Sequence, residues 1–348
     1  MATSMHSQLS RASSRRVSNF TLRILGTASA VPISGRYQSA HVLNVHGRLF
    51  LIDCGEGVQQ QFQKYRIPMM KLDSIFISHI HGDHVFGLFG LLSTIAMKGR
   101  TAPLNIYAPS NFGPIMKFFL SYYGEGISYE LRFVPMTMKE PQVIYETKSL
   151  EIVSFPLNHK IDTFGYIFRE KTPPMNVSKE AVDRYGFTLS EIGMLKRGED
   201  ILRPAGPDTG ADFMNGFVRS SGTPEPLLIR NSDVAYRPYE PRSYAYVSDT
   251  APFPQLSTWV KGVDLLYHES TYLQELKDQA IQRFHSTTGD AAQCALEAGA
   301  GKLVIAHYSS RCQYPARYEV EARKIFPETY AASDGDIFDI PEKNIKLG

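Results

Sequence analysis

The run Ser78-His79-Ile80-His81-Gly82-Asp83-His84 follows a short β-like stretch, Ser74 to Ile77, and precedes an apolar, helix-like stretch from Val85 to Ile95. Side chains at i and i+2 at the end of a strand point to the same side. His79 and His81 are therefore placed to share one metal, while Asp83 and His84, on the following turn, face a second. Three imidazoles and a carboxylate are the nitrogen and oxygen ligands that zinc accepts. The bland alternative is a histidine-rich surface loop. The apolar flanks argue against it, because they would bury these polar groups unless a metal or hydrogen bonds satisfied them.

Four residues do not close two metal sites. The missing ones stand at the ends of later strand-like runs: His159 after Leu150 to Phe155, Asp249 after Tyr244 to Val247, and His307 after Lys302 to Ile305. Any one of these alone is more often a core histidine or a turn aspartate. In this order, after the first motif, they read together as a two-metal hydrolase.

Composition narrows the setting. With 43% of its 348 residues apolar, the chain can bury a large core. It contains no run of eighteen apolar residues, so no membrane span is expected. Its three cysteines, Cys54, Cys294 and Cys312, are far apart and form no zinc-ribbon pattern, which points to His and Asp as ligands and to a reducing, cytoplasmic compartment. Residues 1–19 hold three arginines, six serines and no acid, and read as a disordered basic tail whose bias also suits an organelle transit peptide. Without those three, 34 basic residues face 35 acidic ones. A polyanionic partner would therefore be held by local clusters, not by a uniformly basic surface.

Strand patterns at Phe20 to Gly26, Ala40 to Val45 and Leu49 to Asp53 open the chain. Helix patterns follow at Val58 to Tyr65, Val85 to Lys98, Phe112 to Tyr122, Ser286 to Ala298 and Arg317 to Ile325, interleaved with further strands. Two mixed sheets face to face with helices outside account for this α/β order. Residues 20–348 read as one domain with an insertion at 170–242, whose Pro-rich and Gly-rich composition breaks the pattern.

The ordered ligands resemble the metallo-β-lactamase superfamily. Further stretches are similar to the ribonuclease Z family, endonucleases that mature the 3′ end of transfer RNA. These are Gly26 to Ala30, Leu51-Ile52-Asp53-Cys54-Gly55-Glu56-Gly57, Tyr267-His268-Glu269-Ser270-Thr271-Tyr272, Phe284-His285-Ser286-Thr287-Thr288 and His307-Tyr308-Ser309-Ser310-Arg311. The resemblance runs from about Leu22 to Asp339 and implies an αββα four-layer sandwich. It also implies zinc-dependent removal of the 3′ trailer from precursor tRNA, leaving a tRNA 3′-hydroxyl and a 5′-phosphate on the trailer. Two Zn2+ per subunit, with Mn2+ as a substitute, and a homodimer are implied as well.

Residue by residue, the resemblance places His79, His81 and His159 on one ion, Asp83, His84 and His307 on the other, and Asp249 between them. It gives Asp83 a second role in orienting the attacking water, His285 the role of proton donor to the leaving 3′ oxygen, and Glu269 that of its orienting partner. Asp53 is expected to buttress the histidines. An arm at about 177–198, ending in Lys196 and Arg197, would grip the tRNA, and Arg36 would contact RNA near the cleavage site. The family's Pro-x-Lys-x-Arg-Asn loop is altered here to Pro32, Ser34, Arg36 and Tyr37. Competing readings are a small-molecule phosphodiesterase or other hydrolase of the same fold, and a catalytically silent RNA-binding or dimerisation subunit.

Overall fold

The alternation in Phe20–Gly26 sends Phe20, Leu22 and Ile24 to one buried face and Leu25 to the other. The same split recurs in Arg48–Ile52, where Phe50 and Ile52 oppose Leu49 and Leu51. A strand apolar on both sides must be covered on both sides, and that requirement organises the molecule. In the computed structural model, which describes residues 19–204, 226–312 and 314–343, two seven-stranded sheets pack face to face with helices outside.

The first sheet contains β1 (Phe20–Gly26), β2 (Ala40–Val45), β3 (Arg48–Ile52), β4 (Leu72–Phe76), β5 (Leu104–Pro109), β6 (Leu131–Met136) and β18 (Ile337–Asp339), in the order β18-β1-β2-β3-β4-β5-β6. It is antiparallel from β18 to β3 and parallel from β3 to β6. The second contains β7 (Gln142–Glu146), β8 (Leu150–Pro156), β9 (Phe164–Glu170), β14 (Ser243–Val247), β15 (Leu265–Glu269), β16 (Lys302–Ala306) and β17 (Thr329–Ala331), in the order β17-β16-β15-β14-β9-β8-β7. Its strands from β14 to β17 run parallel. The αββα sandwich expected from the sequence is thus the observed architecture.

Outside the first sheet lie α1 (Val58–Lys64), the short α2 (Gly82–Val85), α3 (Leu88–Met97) and α4 (Gly113–Tyr123). The sequence pattern joins Val85 to Lys98 in one helix, whereas the structure breaks it at Phe86 and Gly87. A Cβ at Gly87 would lie 2.1 Å from the carbonyl oxygen of Gly55, so the glycine permits the strand-to-helix turn to press against the helix start. Leu88, Leu91 and Leu92 are core, while Phe86 is exposed.

Within the insertion, α5 (Lys179–Tyr185) starts at a Ser178 cap and ends on left-handed Gly186, and α6 (Leu189–Lys196) starts with a Thr188/Glu191 capping box. Around them lie β10 (Asn176–Val177), β11 (Ile201–Arg203), β12 (Leu227–Ile229), α7 (Asn231–Val234) and β13 (Ala235–Tyr236), enclosing a small core that includes Phe187, Leu195 and Ile229. The expected tail, residues 1–18, and part of the expected insertion, 205–225, lie outside the described residues. The second sheet's outer layer is α8 (Gln255–Trp259), α9 (Lys277–Arg283), α10 (Thr288–Ala298) and α11 (Pro315–Ala322). No helix among the described residues is long and apolar enough to cross a membrane.

Candidate metal centre

Five strands deliver the site from their C-terminal ends. The His79 to His84 turn follows β4, His159 follows β8, Asp249 follows β14, Glu269 closes β15 and His307 follows β16. The sheets are tied together there by the Phe164 amide donating to the Ser78 carbonyl at 2.9 Å.

All seven residues expected as ligands converge. His79 Nε2 lies 2.9 Å from His81 Nδ1, which lies 3.4 Å from His159 Nε2. Oδ2 of Asp249 is 3.5 Å from His79 Nε2 and 4.0 Å from His159 Nε2. The second group is as close: His84 Nε2 is 3.3 Å from His307 Nε2, and both are 3.4 Å from Asp83 Oδ2. Oδ1 of Asp249 is 3.3 Å from His307 Nε2 and 3.6 Å from His84 Nε2. Ligands at about 2.0–2.1 Å from one tetrahedral ion are separated by roughly 3.3 Å, so both groups have the spacing of an ion's coordination shell. Asp249 presents one oxygen to each.

The hydrogen bonds of the far ring nitrogens fix which nitrogen faces the centre. His159 Nδ1 donates to the Phe284 carbonyl at 2.9 Å, His84 Nδ1 to Asp53 Oδ2 at 2.8 Å, His79 Nδ1 to Ser78 Oγ at 3.0 Å and His307 Nδ1 to Thr271 Oγ1 at 2.9 Å. Each Nε2 is left with its lone pair toward the cluster. Burial lowers the pKa of His79, His81 and His159, which keeps them in the neutral, ligating form. His84 moves the other way: burial opposes its charge, but Asp83, Asp53 and Asp249 together raise it well above the usual imidazole range. Burial alone would raise the Asp83 carboxyl, yet His84 and His307 hold it far below the usual carboxylate range. Three carboxylates thus call for positive charge at this point. Asp249 Oδ1 is buried with no hydrogen-bond partner among the described residues, which is costly unless a cation satisfies it. The residues present fit divalent metal binding on geometry, tautomer and charge.

Asp53 is the hub beneath. At the end of β3, with a left-handed φ of 56°, it accepts from the Ser78 amide at 2.7 Å, Ser78 Oγ at 2.8 Å, His84 Nδ1 and the Tyr246 hydroxyl at 2.5 Å. His307 and Phe284 are also non-glycine residues with positive φ, at 66° and 59°. Backbone strain of this kind gathers at functional sites.

Glu269 is fully buried and, unlike a surface acid after a strand, is saturated with donors. His285 Nδ1, the Ser286 amide and the Thr250 amide donate to Oε1, while the Thr271 amide and hydroxyl donate to Oε2. Burial would raise its pKa, but His285 and the other donors bring it to about 2. Burial in turn opposes charge on His285, but Glu269 and Asp249 push its pKa up to about 9. His285 does not cap the next helix, because Thr287 caps α10. Thr271, not singled out from the sequence beyond its motif, links Glu269 to His307. The Phe284 carbonyl carries no sequence signal at all.

Other expectations meet mixed surroundings. Arg36 is half-buried, donating to the Cys312 carbonyl at 2.8 Å and lying over the Tyr308 ring. Lys196 and Arg197 are exposed at the end of α6, with Arg197 paired to Glu199. His41 is completely buried, its ring nearly perpendicular to those of Tyr246 and Tyr267, with neither ring nitrogen hydrogen-bonded among the described residues. Burial keeps it neutral, with a pKa of about 3. His6 lies outside the described residues. The three cysteines are free and take no part in the cluster.

Above the cluster opens a cavity of about 530 Å³, lined by His81, Asp83, Asp249, His285 and His307 among others.

Comparison with known proteins adds relatives to this geometry. A family described as anti-Pycsar protein Apyc1 matches residues 20–163. A ribonuclease Z of Bacteroides fragilis is 36% identical over 315 residues, covering 90% of this chain and 97% of the relative. One of Bacteroides thetaiotaomicron is 38% identical over 316 residues, covering 90% and 93%. Among solved structures, the short form of human tRNase Z superposes with a TM-score of 0.63 at 23% identity, covering 92% of this chain and 99% of that one. The metallo-β-lactamase fold protein YhfI of Bacillus subtilis gives 0.60 at 17% identity, covering 92% and 98%.

Proposed function

The chain belongs to the ribonuclease Z family, and from that premise we propose that it is a metal-dependent endoribonuclease that removes the 3′ trailer from precursor tRNA. The observation that carries the reading is the His285–Glu269 pair at 2.9 Å, set beside a cluster with two ion-sized ligand groups. A hydrolase that had only to activate water would need the cluster alone. A proton donor poised beside it suits the expulsion of a poor leaving group, such as a ribose 3′ oxygen.

His79, His81, His159 and Asp249 would hold one divalent ion, and Asp83, His84, His307 and Asp249 a second, with zinc as the expected metal and manganese a substitute. Bound there, two such ions would make water more nucleophilic near neutral pH and offset negative charge on the phosphate. Asp83, anionic at the cavity floor, accepts a hydrogen bond from the attacking water and aims it at phosphorus. As the bond from phosphorus to the 3′ oxygen breaks, His285 passes its proton to that oxygen. Glu269 holds the imidazolium in place throughout, fixed by its five donors. The products are a tRNA ending in a 3′-hydroxyl and a trailer beginning with a 5′-phosphate.

The unit at about 177–198, with Lys196 and Arg197 at its exposed end, is proposed as the tRNA-gripping arm, and Arg36 as a contributor near the cleavage site. The enzyme is proposed to act in the cytoplasm as a homodimer. In support of a second copy, Phe86, Met97, Phe118, Tyr122 and Tyr123 leave large apolar surface exposed from α2 to α4. Steady-state kinetics test the substrate assignment. Precursor tRNA should be turned over with a kcat/KM far above that of a small phosphodiester, and the reverse preference would favour a small-molecule phosphodiesterase.

A further inference from the structure

The wall of the metal cavity carries more positive charge than one phosphodiester requires. Lys160, Arg283 and Arg311 all line it and are all exposed. They come from three separate elements: Lys160 directly follows His159, Arg283 is the last residue of α9, and Arg311 lies in the loop after His307. Among the described residues, Arg311 bonds only a neutral amide, Gln279, at 3.4 Å, and none of the three is ion-paired. Among the described residues, the only acids lining the cavity are Asp83 and Asp249, both committed to the cluster below.

Cations gathered around a floor that itself binds cations repel it, which is unfavourable unless a polyanion neutralises them. The scissile phosphodiester brings a single negative charge, and the floor takes it.

We propose that Lys160, Arg283 and Arg311 form a rim that binds the backbone phosphates flanking the scissile one, so that the cavity selects a polynucleotide over an isolated phosphodiester. The proposal deepens the nuclease reading and rests on it. Each bound phosphate releases condensed counterions, so each contact contributes about 0.7 to the slope of log affinity against log salt on a single strand.

The test is binding without turnover. A short, fluorescent, single-stranded oligoribonucleotide with phosphorothioate linkages keeps every backbone charge and resists hydrolysis. Its anisotropy is titrated with the zinc-loaded full chain, and with the Lys160→Gln/Arg283→Gln/Arg311→Gln variant, across roughly 50–200 mM salt. The salt slope should fall by about 2 in the variant, and KM for precursor tRNA should rise at least tenfold with a much smaller change in kcat. An unchanged slope, or a loss confined to kcat, overturns the proposal. The nuclease reading fails separately: a wild type that cuts no RNA while the slope still falls leaves the rim in place and removes the assigned substrate. Cleavage of precursor tRNA with an unchanged slope does the opposite.

Discussion

His159 Nδ1 donates to the backbone carbonyl of Phe284 at 2.9 Å, and the residue after Phe284 is His285. A ring that faces the His/Asp cluster and the proposed proton donor are therefore held by one turn of backbone, the left-handed C-cap of α9. A non-glycine residue in that conformation costs about 1–2 kcal/mol. Here the conformation aims a carbonyl at one histidine and carries the next one into the cavity.

If the backbone and not the phenyl ring is what matters at 284, Phe284→Gly should keep metal content and kcat within about twofold, because glycine adopts positive φ freely. Phe284→Val, β-branched and unsuited to that region, should weaken metal binding by roughly 10–100-fold, as loss of a ligand's orienting partner does. Calorimetric zinc titration of the metal-free variants checks this. Equal affinity in both would assign the Phe284 carbonyl no orienting role.

The pH profile of kcat should carry the signature of His285. Its pKa is raised to about 9, so the proton-donor form persists through neutrality and is lost as pH rises through that value. The stability gained from its pairing with Glu269 follows the same sign, complete below the ordinary value near 6.5 and lost on the alkaline side. In Glu269→Gln the carboxylate that raises it most is gone, so the alkaline limb should move to lower pH. Rates measured from pH 5 to 10 with bound metal verified at each point decide it. A limb that stays put would remove His285 as the donor.

Asp53 touches no substrate and sits one layer below the cluster. Asp53→Asn leaves one oxygen but turns the other position into a donor, which conflicts with the Ser78, His84 and Tyr246 groups that already donate there. Zinc affinity should fall by roughly 10–100-fold, while the chain still unfolds cooperatively. Zinc content unchanged after dialysis against a competing chelator would contradict this.

The insertion has its own acid sensitivity. Arg203 holds the Glu191 carboxyl down at about 2, so that pairing is intact above the ordinary carboxylate range and is lost as pH falls through about 2. Arg203→Ala should shift the loss of amide-exchange protection in α5 and α6 to higher pH, toward the ordinary carboxylate value, without altering protection in the sheets. Protection that falls everywhere together would mean the insertion does not respond as a separate unit.

The convergence of the His and Asp side chains was legible because strand-end geometry leaves a mark in sequence: an apolar run, then His or Asp. His79 could be paired with His81, and Asp83 with His84, from spacing, and His159, Asp249 and His307 joined them from their positions after later strands. Glu269 needed the family resemblance, since nothing local distinguishes a buried, saturated carboxylate from a surface one. The Phe284 carbonyl was invisible, because any residue supplies a carbonyl and only the observed φ reveals its direction. The burial of His41 left no mark, because an isolated histidine in an alternating strand gives no hint that both faces of the sheet are covered. The helix break at Gly87 was hidden for a related reason, as the contact that demands glycine comes from Gly55, distant in sequence.

The most direct measurement is to incubate the purified chain with a 3′-extended precursor tRNA, with and without chelator, and to map the ends at nucleotide resolution. The account requires one chelator-sensitive cut at the base of the acceptor stem, restored by added zinc, with a 3′-hydroxyl on the tRNA and a 5′-phosphate on the trailer. Intact precursor after incubation with fully metal-loaded protein, or a cut leaving a 3′-phosphate, would contradict it.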